Sequence, residues 1–211
     1  MGRILGPKCR LCRREGEKLF LKGERCHTSK CAITRRKYAP GMHGAKSGAR
    51  LSDWGMQLRA KQKAKRIYHI GEAQFRIYFG KAYDSSEDTG EALLKQLEIR
   101  LDNVVFRLGF VSSRLLARQM VNHGFITVNG DTVTIPSFQV KPGDVIRFKD
   151  TKKETKLMMG IANKKGSETK SLPSWIVFDA DKKESKILNL PKREDFIENV
   201  DDKLIVEFYS K

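Results

Sequence analysis

No stretch of the 211 residues approaches the ~18 consecutive apolar residues that a bilayer-spanning helix needs. The opening MGRILGPKCRLCRR lacks the apolar core of a secretory leader, and Gly6 stands where an N-myristoylation signal wants Ser or Thr. A soluble, intracellular protein with no membrane partner is expected. Cysteine is missing from residue 32 onward, and no internal repeat is evident. Acidic residues are scarce in the first 82 positions, where Glu15, Glu17, Glu24, Asp53 and Glu72 face 21 Lys and Arg.

That scarcity shapes the charge map. The whole chain has 42 Lys and Arg against 25 Asp and Glu, a net +17, and residues 1–82 hold +16 of it. A solvated surface mixes signs to limit self-repulsion. A nearly one-signed half therefore reads as the footprint of nucleic acid and argues against a generic metabolic enzyme. Residues 32–50 (AITRRKYAPGMHGAKSGAR) are expected to be extended loop suited to a phosphate backbone, with Arg35, Arg36 and Lys37 as contacts. Residues 52–83 read as two basic helices, the first capped at Ser52 or Asp53 and carrying Arg59, Lys61, Lys63, Lys65 and Arg66. Tyr38, Trp54, Tyr68, Phe75 and Tyr78 are either core or base-stacking residues.

All four cysteines fall in one N-terminal cluster, Cys9-x2-Cys12-x13-Cys26-x4-Cys31. Thiolates two residues apart can face one ion, and a second pair returned by a loop completes a tetrahedral site. This segment has too few large apolar residues to fold on a core of its own, so a structural metal would replace one. Zinc is the default, with an iron–sulfur cluster as the alternative at the same four ligands and His27 as a substitute ligand. Four thiolates leave no open position for catalysis. Arg10, Arg13, Arg14 and Arg25 lie close enough in sequence to offset the site's negative charge.

Patterning is strongest in the middle. One helix is expected from a Thr89 cap through Leu108, with Leu93, Leu94, Leu97, Leu101, Val104 and Val105 at helical spacing. A second, capped by Ser112 or Ser113, runs to about Asn122 and stops at Gly124. It places Arg114, Arg118 and Asn122 on one face, with Leu116 and Met120 on another. The period then changes to two: Ile126 and Val128 lead into an Asn129-Gly130 hairpin, and Val133 and Ile135 return on the same face. A turn at Pro142-Gly143-Asp144 precedes a strand at 145–148, and residues 150–171 read as exposed loop or a ragged strand pair. The fold class is α+β. Residues 1–48 form a Cys-rich knuckle and basic loop, in one domain with a basic helical region at 49–90. Residues 91–186 form a helix-helix-sheet module, and 187–211, ending in LIVEFYS, dock back on the core.

The run EIRLDNVVFRLGFVSSRLLARQMVNHGFITVNG resembles the alpha-L RNA-binding motif, in the form found in the ribosomal protein S4 family. MGRILGPKCRLCRREG, RRKYAPGMHG, LSDWGMQLRAKQKAKRIYHIGEAQFRIYF, PSFQVKPGD, LPSWI, LNLPKRED and IVEFYSK resemble the bacterial branch of that family in the same order; residues 151–170 fit least well. The resemblance implies a cytoplasmic, non-enzymatic constituent of the small ribosomal subunit, monomeric within the ribosome. Such a protein is a primary binder of 16S-type rRNA that clamps a helix junction of the 5′ domain, nucleates the subunit body and contributes to translational accuracy. It implies contacts with the fifth and twelfth small-subunit proteins and a place near the incoming mRNA. Ser113, Arg114, Arg118, Gln119, Asn122 and His123 become RNA contacts, and the four cysteines become metal ligands of a branch of the family. Alpha-L motifs also occur on RNA-modifying enzymes and on proteins that bind stalled ribosomal particles. Here no catalytic domain follows the motif, and the matched N-terminal half disfavours the stalled-particle reading.

Overall fold

The structure, a computed structural model, describes residues 6–46, 50–149, 172–179, 184–196 and 200–210. The chain divides into two compact units, Met1–Leu94 with Glu198–Lys211, and Lys95–Ile197. The expectation for residues 150–171 lies outside the described residues. Among the described residues no helix is long and apolar enough to cross a membrane.

In the first unit, α1 (Lys8–Glu15) stops at Gly16, whose left-handed φ of 77° no side chain would adopt cheaply. Leu19 and Leu21 then turn inward while Phe20 between them points out, at φ 49°. A single 3₁₀ turn, Gly23–Cys26, leads to α2 (Ala32–Arg35), one helical turn where extended chain was expected; burial of Ile33 and the amide of Arg36 bonding Ala32 O hold it. In α3 (Asp53–Ile67), Ser52 Oγ accepts from Gly55 N at 3.2 Å, the cap legible in the sequence. α4 (Glu72–Tyr83) buries Phe75, Tyr78, Phe79 and Ala82. The chain returns to this unit as α8 (Asp202–Tyr209), a helix capped by Asp201 that packs along α3. Its Tyr209 ring stacks on Phe75 and Phe79 at 6.3 and 4.4 Å. Gly90 permits the close approach of this helix, since a Cβ there would lie 2.6 Å from Asp202 Oδ2.

The single helix expected from Thr89 to Leu108 is two. α5 (Thr89–Glu98) is capped by Asp88, whose Oδ1 accepts from Glu91 N at 2.9 Å, and not by Thr89. The chain then extends at Arg100 (φ −67°, ψ 135°) before α6 (Leu101–Arg107). The break is tertiary in origin: Leu101 N donates to Phe138 O at 2.8 Å and Val140 N to Ile99 O at 3.0 Å, which draws this segment out of the helix. α7 (Arg114–Asn122) packs on α6. An antiparallel sheet follows in the order β2-β1-β3-β5-β4, formed by β1 (Ile126–Val128), β2 (Asp131–Thr132), β3 (Val145–Phe148), β4 (Ile176–Asp179) and β5 (Glu184–Ile187). Asn129 and Gly130, at φ 53° and 96°, make the β1–β2 hairpin. Ile135, expected on the buried face, is exposed because the second strand stops at Thr132. Leu101, Val104, Val121, Ile126, Ile146, Trp175 and Ile187 are the centre of this unit's core.

Candidate RNA interface

α7 turns Ala117, Met120 and Val121 inward and leaves Gln119, Asn122 and His123 outside that core. Ser113, buried, caps it by accepting from Leu116 N at 3.3 Å, and Gly124 follows at φ 67°. The two arginines lie between these faces. Arg114 donates from Nε to Asn103 Oδ1 at 2.7 Å, with its guanidinium 4.5 Å from the Phe106 ring centroid. Arg118 Nη1 stands 3.6 Å from Asp102 Oδ2.

Beneath them is a buried ionic layer. Arg100 grips Asp102 through two bonds, Nε to Oδ1 at 3.1 Å and Nη2 to Oδ2 at 2.7 Å. Arg107 grips Glu98 in the same way at 2.9 and 2.6 Å, and Asn103 Nδ2 donates to that carboxylate at 2.8 Å. Charges this deep are tolerated only when paired and hydrogen-bonded. The layer rises to the surface at Arg114, through Asn103, and at Arg118, through Asp102, so each arginine is oriented from below. Asp102 and Asn103 were not singled out in the sequence. Their signal was an acid and an amide inside the otherwise apolar run LDNVVF.

In the first unit the expected cations fall into two groups. Arg35, Arg36 and Lys37 are exposed. Those of α3 are drawn toward acids: Arg59 and Arg66 to Glu15, Lys63 to Glu17, and Lys61 and Lys65 to Glu72. Lys61, expected as an RNA contact, is placed differently from its neighbours on α3. It is buried, its ammonium 2.9 Å from Glu72 Oε1 and 4.1 Å from the Phe208 ring centroid, and so faces the protein's interior. Burial pushes the Glu72 carboxyl up, but hydrogen bonds from Lys65, Lys61 and Tyr209 outweigh it and hold the group at about 2. Tyr209 is pushed well above its ordinary range by burial and by donating to Glu72 at 2.9 Å. Glu15, with a side chain only 3% exposed, is raised because desolvation exceeds the pull of Arg66 and Arg59. The exposed cations around the cysteines include Arg10, Lys22, Arg25 and Lys30, of which Lys22 and Lys30 were missed in the sequence. Of the aromatics, Tyr68, Phe75 and Tyr78 are core; Tyr38, under the Arg13 guanidinium at 4.8 Å, and Trp54 are exposed.

Cys9, Cys12, Cys26 and Cys31 all line one small cavity with Leu21 and Ile33, and the last three are buried. Among the described residues no set of three or more His, Cys, Asp or Glu side chains is arranged as a metal site. The donor chemistry nevertheless fits a thiolate-binding ion. Cys26 Sγ accepts from Lys22 N at 3.4 Å, and the backbone of Leu19 at Cys12 and of Ile33 and Thr34 at Cys31 acts in the same sense, favouring the ionised sulfur. Amide donors of this kind support a sulfur that carries negative charge. Burial pushes the Cys12 and Cys26 thiols up, whereas at Cys31 the amide bonds outweigh burial and bring the thiol down. His27 does not line the cavity; its ring lies against Phe20 on the outside.

A family model described as "Ribosomal protein S4/S9 N-terminal domain" matches residues 3–98, and one described as "S4 domain" matches residues 99–146. The small ribosomal subunit protein uS4 of Heliobacterium modesticaldum is 53% identical over 211 residues, covering 100% of both chains. Proteins of the same name from Acetivibrio thermocellus and Thermodesulfovibrio yellowstonii are 53% and 50% identical, again over 100% of each chain. Two family models in series and relatives aligned end to end leave no part of the architecture outside the match, and the chain belongs to the family of the small ribosomal subunit protein uS4.

Proposed function

We propose that this chain is a constituent of the small ribosomal subunit that binds its rRNA as a clamp, holding several RNA helices at fixed angles. The relatives carry the name of a ribosomal protein, and the role assigned here is structural, without catalysis, in the cytoplasm on the ribosome. The observation that carries the reading is the α7 face, where Arg114 and Arg118 are oriented by a buried ionic layer beside Gln119, Asn122 and His123. Arginine forks held in advance lose little entropy on meeting phosphate oxygens. A-form RNA hides its base edges in a narrow major groove, so such a surface recognises junction shape through phosphates and 2′-hydroxyls. Arg35, Arg36 and Lys37 supply a second contact region, and Arg59, Lys63, Lys65 and Arg66 a third, after exchange of acid partners for phosphates. The RNA target is a helix junction in the 5′ domain. Nucleation of the subunit body, a contribution to translational accuracy, contact with the fifth and twelfth small-subunit proteins and a position near incoming mRNA follow from the family resemblance.

Cys9, Cys12, Cys26 and Cys31 are assigned to one metal, zinc by donor type, with an iron–sulfur cluster as the alternative. When bound, the ion supplies a crosslink in place of a core. The four sulfurs hold it, the amides of Leu19, Lys22, Ile33 and Thr34 support their charge, and Leu21 and Ile33 shield the site.

The test is titration of the full chain with a 5′-domain transcript across a salt series, with excess tRNA competing. Saturable binding that survives the competitor supports the clamp, and its slope gives the number of phosphates neutralised. Complete loss to tRNA would reduce the charge to nonspecific affinity and overturn it.

A further inference from the structure

Phe20 is a bulky aromatic that the fold leaves exposed. Leu19 and Leu21 on either side are 5% and 6% exposed, whereas Phe20 is 42% exposed and sits at φ 49°, a left-handed backbone region that a β-carbon disfavours. Glycine would fit this place with less strain. The ring is not solitary: the exposed His27 ring lies 5.0 Å away, tilted by 30°. The segment carrying His27 is braced, Thr28 Oγ1 donating to Arg25 O at 3.0 Å and Arg25 Nε to Lys30 O at 3.4 Å. The result is an open two-ring ledge on a fixed loop. Strain kept at an exposed side chain points to use outside the fold.

The surroundings decide what the ledge takes. Lys22, Arg25 and Lys30, all within a few residues of the two rings in sequence, are exposed, and Glu24 is the single acid between residues 18 and 30. An apolar peptide surface gains nothing from three cations, whereas an unpaired nucleotide offers a flat ring for Phe20 and His27 and phosphates for the lysines and Arg25. We infer that Phe20 and His27 form a stacking platform for one unpaired base of RNA. The platform rests on the rRNA-binding reading and adds to it an interaction of a different kind, with a base that has left its helix.

The full chain is titrated with two probes, the 5′-domain transcript and a short unstructured oligoribonucleotide, as wild type, Phe20→Ala, Phe20→Tyr and His27→Ala. Phe20→Ala is expected to lose about 5- to 150-fold in affinity for both, the range for one stacked base, with its salt slope unchanged and its melting temperature not lowered. Phe20→Tyr retains binding, and His27→Ala loses less than Phe20→Ala. On the transcript, base-directed chemical modification should show one unpaired base protected by wild type and Phe20→Tyr and open with Phe20→Ala. Equal affinity of Phe20→Ala and wild type for the oligonucleotide overturns the platform, whatever the transcript does. Failure of wild type to bind the transcript, with the Phe20 effect intact on the oligonucleotide, overturns the ribosomal reading and leaves the platform standing.

Discussion

At the scale of single residues, some of the described basic side chains face the solvent, whereas others are held by the protein's own acids, amides and rings. Arg114→Ala with Arg118→Ala should weaken RNA binding and lower the salt slope by about 1 for each phosphate no longer neutralised. Lys61→Ala should leave the slope unchanged and cost about 2 kcal/mol in urea unfolding, because its charged hydrogen bond to Glu72 is internal. Glu98→Gln should cost about 3 kcal/mol in the same measurement, since it leaves the Arg107 guanidinium buried without its counter-charge. Much of the α7 site was legible in the sequence because its rules are local: Ser113 as cap, four-residue spacing of Arg114, Arg118 and Asn122, and Gly124 as the stop. The burial of Lys61 was not legible, because nothing near it in sequence announces Phe208 and Tyr209, the rings its ammonium lies over. The cysteine spacing suggested one metal site, and the four residues line one cavity; how residues 19–34 turn around the sulfurs is not encoded in that spacing.

At the scale of elements, α8 is joined to the rest of its unit by polar bonds as well as by ring stacking. Glu72 receives Lys61, Lys65 and Tyr209 at once, and Gln57 Nε2 donates to Glu207 at 2.9 Å. The Glu72 carboxyl is depressed in the folded state, so its stabilising contribution is present above the unfolded carboxylate pKa and disappears as pH falls to about 2. The stability gap between wild type and Glu72→Gln should therefore shrink between about pH 4.5 and 2 in acid unfolding curves. Tyr209 is shifted upward, so its contribution persists through neutral pH and fades only in alkali, above the ordinary tyrosine range. The helix break after Ile99 shows the limit of periodicity. Apolar spacing continues unbroken through Leu108, and only the backbone bonds to Phe138 and Val140 interrupt it. Likewise the LIVEFYS ending reads as an apolar segment that docks, while its helical form depends on the Asp201 cap and the face of α3 waiting for it.

At the scale of the whole molecule, the +17 charge and the cysteine cluster meet, because Lys8 and Lys22 line the same cavity as the four cysteines. Chelation of the metal proposed for the four cysteines should make all four thiols reactive toward a thiol reagent and weaken 5′-domain binding, with re-addition of zinc restoring both. Elemental analysis and the absence of visible absorbance would separate zinc from an iron–sulfur cluster. The unit built from Met1–Leu94 also takes its closing helix from Asp202–Tyr209, beyond the entire second unit. During synthesis the first unit leaves the ribosome early, yet the face of α3 meant for α8 stays uncovered until residues 202–209 have followed. A nascent chain interrupted anywhere before that point carries an unfinished N-terminal half, with Lys61 lacking its aromatic cover and Glu72 its tyrosine. The order of manufacture thus runs against the order of packing, since an early helix receives its last neighbour from the end of the chain.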